Sequence, residues 1–186
     1  MLQIVQVLRH NTLMKIEKDN FMSAARSTHP VLSGAFDDKA VAEISSALAV
    51  LLADAFALYI KTKNFHWHVR GRHFRDYHRL LDEQGEQIFA MTDALAERSR
   101  KIGGTTIRSI GHIARLQTIK DNDLDLVDPA AMISELCEDN KQLAADMRRV
   151  HELTSGLNDF ATTSVLENWI EETEGRAWFL FETASD

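Results

Sequence analysis

Proline is missing from the whole stretch between Pro30 and Pro129, and these are the chain's two prolines. Nothing there interrupts a helix, because proline is the residue that removes a backbone donor and clashes with the preceding turn. β-Branched residues in alternation are scarce, whereas apolar residues recur every three or four positions, so the spacing predicts an all-α protein. The 186 residues and the 45% hydrophobic content suit one domain with a sizeable core. The lone Cys137 excludes an internal disulfide and a cysteine-based zinc site, and makes the reducing cytoplasm the expected compartment. The longest apolar run, Ala47 to Ala53, ends at Asp54, too short by itself to predict a membrane span. A net charge of −7 argues against a surface that attracts nucleic acid or anionic membrane everywhere, and is compatible with attracting cations.

Four long helices are predicted, after an N-terminal tail over residues 1–34 whose pattern is the least regular. The first runs from about Asp38 to His68, with Ile44, Leu48, Leu51, Ala55, Tyr59, Thr62 and His66 on one side. After a short loop containing Gly71, a second helix runs from about Phe74 to Ile102 and is stopped by Gly103-Gly104. A long connection, with a short helix over Ile110 to Ile119, leads to Asp128-Pro129, an N-cap acid followed by proline at the first helical position. The third long helix reaches about Thr154, and the fourth follows the Gly156–Asp159 turn nearly to the C-terminus. Long helix, short loop, long helix, long crossover and two more helices is a four-helix bundle with ferritin-like connectivity over residues 35–186.

The chemistry is concentrated in the second long helix. At about 100° per residue, with Asp82 at zero, His78 falls near −40°, Asp93 near 20°, Glu86 near 40° and Glu97 near 60°. An acidic stripe opposite an apolar one is ordinarily the solvated face of an amphipathic helix. Here the stripe has few Lys or Arg at pairing distance along the helix and contains Phe89, a poor solvated surface and a sensible cation site. Because the apolar face must pack into the chain's own bundle, a metal on the acidic face would be completed by another subunit. His66, His68, His73 and His78 cluster around the first loop. His66 and His78 align with the stripes of their helices, while His68 and His73 fit a surface role equally well. Carboxylate with imidazole suits iron or manganese.

The run His66-Trp67-His68-Val69-Arg70-Gly71, followed by Phe74, His78, Asp82-Glu83, Asp93, Ala96-Glu97-Arg98 and Gly103-Gly104, resembles the Dps-type mini-ferritins. The abbreviation stands for DNA-binding proteins from starved cells. The resemblance implies a ferroxidase centre between two-fold-related subunits, with His66 from one and Asp93 and Glu97 from the other as catalytic ligands. His78 and Asp82 would complete or support a second, weaker iron position. It also implies a dodecameric homo-oligomeric shell, entry of Fe²⁺ as substrate, oxidation preferentially by hydrogen peroxide, storage of the ferric product and no organic cofactor. Trp67, next to His66, fits either packing or the quenching of radicals. Larger ferritins use a Glu-x-x-His pair inside one bundle, and no Glu-x-x-His occurs in this sequence.

Two features depart from the family pattern. At the start of the last helix Asp159 matches the first of two pore-lining acids, but Ser164 stands at the second. The N-terminal tail carries Arg9, Lys15, Lys18 and Arg26 against Glu17 and Asp19, about +2, which neutralises few phosphates. DNA association through the tail is therefore expected to be weak at physiological salt, and no membrane partner is expected. Two alternatives to iron storage remain at this level: a nucleoid-associated, DNA-protecting protein with secondary iron chemistry, and a purely structural bundle.

Overall fold

The computed structural model describes residues 35–185, so the tail over residues 1–34 lies outside the described residues. Five helices follow one another: α1 Asp38–His68, α2 Phe74–Lys101, α3 Ile110–Leu116, α4 Pro129–Gly156 and α5 Phe160–Ala184. Helices α1 and α2 form one antiparallel hairpin, α4 and α5 the other, and α3 lies against α1. This is the all-α ferritin-like arrangement, and the helices start where the sequence places them, at the expected cap Asp128 and at two further caps, Asp37 and Asp159. Asp37 accepts from the Ala40 N–H at 2.7 Å, Asp128 from the Ala130 N–H at 2.9 Å, and Asp159 from the Thr162 N–H at 3.1 Å.

Apolar stripes from all four long helices meet in one core. Ile44, Leu48 and Leu58 of α1 join Leu81, Ile88 and Leu95 of α2, Leu136 and Leu143 of α4, and Leu166 and Leu180 of α5. Helix α1 is long and apolar enough to cross a membrane, but 61% of its most apolar window is buried inside the bundle. It also carries two charges that a bundle core can satisfy. Lys61 is buried and reaches Asp139 at 2.7 Å and Glu135 at 3.0 Å on α4. Asp54 is completely buried and tied to the crossover.

The short crossover helix is three residues shorter than the spacing predicts, and Asp54 supplies the reason. Its carboxylate accepts from the Thr118 N–H at 2.5 Å, the Ile119 N–H at 3.0 Å and the Thr118 hydroxyl at 3.0 Å. Those backbone donors turn toward α1 instead of continuing the helix. The crossover begins with two glycines doing different work. Gly103 adopts φ +95°, while a Cβ on Gly104 would lie 1.8 Å from Ser45 Oγ, so only glycine lets the chain pass α1.

Replacing Asp54 strands the buried Ile119 N–H and the part-buried Thr118 N–H. Asp54→Ala should cost about 3 kcal/mol and lower the melting temperature of the assembled protein by roughly 6–12 °C. Asp54→Asn, which retains an acceptor, should lose less than half as much in the same melts.

Candidate metal centre

The α1–α2 corner is tight: Val69 to His73 connects the two helices, Gly71 has φ +99°, and the Phe74 N–H returns to the Gly71 carbonyl at 3.1 Å. This places the end of α1 beside the start of α2, and two histidines lock the register. His66 Nδ1 lies 2.8 Å from the His78 carbonyl oxygen, and His78 Nδ1 lies 2.9 Å from the His66 carbonyl oxygen. The two rings stack with centroids 3.8 Å apart.

A carbonyl oxygen only accepts, so Nδ1 must carry the proton in both rings. The neutral imidazoles therefore keep their lone pairs on Nε2, the tautomer suited to a metal ligand whose other nitrogen is held by a backbone oxygen. His66 Nε2 lies 3.8 Å from Asp82 Oδ1. His66, His78 and Asp82 are thus brought together at one end of the hairpin, with His66 itself buried.

Lys63 was missed by the helical arithmetic on α2, because it comes from α1. Its ammonium lies 2.6 Å from Asp82 Oδ1 and, chiefly through that hydrogen bond, holds the Asp82 carboxyl below the ordinary carboxylate range. The signal was present in the sequence, since Lys63 precedes His66 by three residues and shares its face of α1. Gly85 gives the lysine stem its path: a Cβ there would meet Lys63 Cδ at 3.0 Å. A cationic group already sits on the carboxylate that the second metal position would use.

Asp93 and Glu97 lie elsewhere. They continue the same face of α2, exposed, about 16 Å and 22 Å along the helix from Asp82 at 1.5 Å per residue. Glu97 has a partner on its own helix, Lys101 at 2.8 Å, one of the few cations at pairing distance along the stripe. That pair is exposed and weak. Between the two groups lies Phe89, 51% exposed, its ring edge against Phe56 and Tyr59 of α1. Among the described residues no three His, Cys, Asp or Glu side chains converge within one chain closely enough to hold a metal ion.

A sequence profile of the ferritin-like domain family matches residues 45–186. A low temperature-induced protein of Nostoc is 36% identical over 130 residues, covering 69% of this chain and 73% of that protein. DNA protection during starvation protein 1 of Deinococcus radiodurans is 27% identical over 144 residues, covering 77% and 70%. An archaeal Dps homologue from Halobacterium salinarum superposes with a TM-score of 0.81 at 26% identity, over 88% of this chain and 89% of that one. A Dps protein from Vibrio cholerae, described as belonging to a broad superfamily of ferritin-like diiron-carboxylate proteins, gives 0.78 at 25% identity over 87% and 99%. This chain is a Dps-type member of the ferritin-like family.

The Dps-type chain has charged groups in its core that the sequence pattern does not announce. Asp159 is buried, accepts from Arg98 Nη2 at 2.5 Å and caps α5, so within one subunit its carboxylate is spent on structure. Arg176 is buried against Asn140 at 3.0 Å and Thr173 at 2.7 Å. Desolvation lowers its pKa to about 10, which leaves it charged at neutral pH. The bundle interior therefore holds a buried guanidinium, whereas larger ferritins place Glu-x-x-His ligands inside their bundles.

The tautomer assignment is directly measurable. Side-chain ¹⁵N resonances of His66 and His78 at neutral pH should both report a protonated Nδ1 and an unprotonated Nε2. A dominant Nε2–H form in either ring would remove the ligand geometry.

Proposed function

We propose that this protein oxidises Fe²⁺ at centres shared by two subunits and stores the ferric product in a homo-oligomeric shell. One observation carries the reading: the reciprocal Nδ1–H to carbonyl bonds present His66 and His78 as Nε2 donors beside Asp82. The remaining carboxylates, Asp93 and Glu97, stand on the same exposed face with no way to reach that group in their own chain. A two-fold axis passing near Phe89, midway between the two groups, would set His66, His78 and Asp82 of one subunit against Asp93 and Glu97 of the partner subunit. The same contact would cover the exposed Phe89. Membership of the Dps branch supports both the shell and the iron chemistry.

In this reading each residue has a distinct task. His66 supplies a neutral nitrogen ligand to Fe²⁺. Asp93 and Glu97 of the partner subunit supply anionic oxygens, which favour Fe³⁺ over Fe²⁺ and so draw the electron out. His78 and Asp82 receive the second ion, which must displace the Lys63 ammonium. Two Fe²⁺ each give one electron to hydrogen peroxide, its O–O bond breaks, two protons are taken up and two waters leave. Paired electron delivery avoids the hydroxyl radical that a single electron would release. Cys137 is buried and free, which fits residence in the cytoplasm.

Asp93→Ala, Glu97→Ala and His66→Ala should each reduce peroxide-dependent Fe²⁺ oxidation by about a hundredfold or more, equivalent to about 3 kcal/mol of barrier. Asp93 and Glu97 are exposed within one chain, so folding should change by less than about 0.5 kcal/mol. Co-assembling the His66 and Glu97 variants should restore part of the activity, and failure in properly mixed shells would place the site within one chain. Light scattering of the intact protein should show an assembly, and a stable single subunit at neutral pH would refute the shared centre.

Lys63→Met should tighten the second Fe²⁺ in an anaerobic titration by about tenfold and leave the first unchanged. An unaltered isotherm would show that Lys63 does not compete with metal.

A further inference from the structure

Asp93 and Glu97 have to be aimed at a partner subunit, and neither is held by another helix of its own chain. Among the described residues Asp93 has no hydrogen-bond or ion-pair partner, and the partner of Glu97, Lys101, lies one turn along the same helix. The rotation of α2 about its axis therefore decides where both carboxylates point. Helix α1 packs on α2 and on α4, whereas α2 and α5 touch little, and long polar side chains cross the seam between them. Arg176 reaches from α5 to Met91 Sδ at 3.6 Å. Arg98 reaches from α2 to the start of α5, with Nη2 at 2.5 Å from Asp159 Oδ1 and Nε at 2.7 Å from Thr162 Oγ1.

We infer that Arg98 is a positioning residue for the proposed iron centre, the reading on which this inference rests. Its fork ties the last turns of α2 to the start of α5 and so sets the direction in which Asp93 and Glu97 meet the partner subunit. Two donors of one rigid planar group, each on its own acceptor, fix rotation as well as distance. The acceptors are fixed in turn, because Thr162 donates its hydroxyl to Asp159 Oδ2 at 2.5 Å and its N–H to Asp159 Oδ1 at 3.1 Å. Asp159 and Thr162 are each 1% exposed, so water does not loosen the clamp. Around α2, Arg98 stands about 100° from Glu97, on the flank between the acidic and the apolar faces. A carboxylate about 6 Å from the helix axis moves about 1 Å for a rotation of about 10°, enough to spoil a ligand set. With both of its oxygens occupied, Asp159 serves the orientation of α2, a use different from the pore-lining role that its sequence position suggests.

The test variant combines Arg98→Met with Asp159→Asn, which removes the charged pair together, orphans no buried charge and keeps a side-chain cap on α5. In an anaerobic Fe²⁺ titration of the intact assembly it should bind the first ion about 10- to 100-fold more weakly, and the second, held by His78 and Asp82, as before. Peroxide-dependent oxidation should slow to a similar degree. Arg148→Met, which breaks an exposed pair with Glu174 between α4 and α5, should change neither. Mixed shells then assign the defect to one side of the centre. Co-assembly of the double variant with His66→Ala should restore part of the activity, and co-assembly with Glu97→Ala should restore none. Unchanged affinity for the first ion would overturn the inference, as would equal weakening of both ions or restoration by Glu97→Ala. Failure of His66→Ala and Glu97→Ala to restore one another would instead remove the shared centre, and the role of Arg98 with it.

Discussion

Two hydrogen bonds across the first corner set the relation between α1 and α2. His66 donates to the carbonyl of residue 78, and His78 donates to the carbonyl of residue 66. This reciprocity ties the last turn of one helix to the first turns of the next, and it fixes the tautomer of both rings at once. Sliding either helix by one residue would break both bonds and rotate the imidazoles away from Asp82. The register of the hairpin, the face of α2 left exposed and the direction of the two Nε2 lone pairs are therefore one structural fact.

Much of the fold was legible because the chain states it in short-range terms. Caps at Asp37, Asp128 and Asp159, glycines at 71 and 103, and apolar residues at helical spacing put every long helix within about two residues of its place. The end of the short crossover helix was not legible, since it depends on Asp54, more than sixty residues earlier. The candidate site was legible in part. Helical arithmetic aligned His78, Asp82, Asp93 and Glu97 on one face, but said nothing of a side chain approaching from another helix. Lys63 enters in that way, and so do Arg98 toward Asp159 and Lys61 toward Asp139.

The polar core adds a constraint on where a cation can rest. Arg176, with Asn140 and Thr173 as partners, places a positive charge between α4 and α5 in the bundle interior. Bringing Fe²⁺ there would add like charge in a poorly screened interior. On the proposed reading, the acidic side chains that would hold iron are on the outer face of α2. Interior guanidinium and exterior carboxylates push in the same direction, toward metal held between molecules instead of within one.

The Lys63–Asp82 contact gives that centre the character of an ion exchanger. A cluster of carboxylates awaiting metal ordinarily repels itself, and the repulsion acts against assembly of the metal-free protein. With an ammonium already seated on Asp82, the proposed centre is closer to neutrality without metal, which would let subunits associate before iron arrives. On the proposed reading, loading would swap one tethered cation for a free one and displace the lysine stem that now passes over Gly85. On the same reading, emptying the centre would return the same counter-ion to Asp82 without recruiting one from solution.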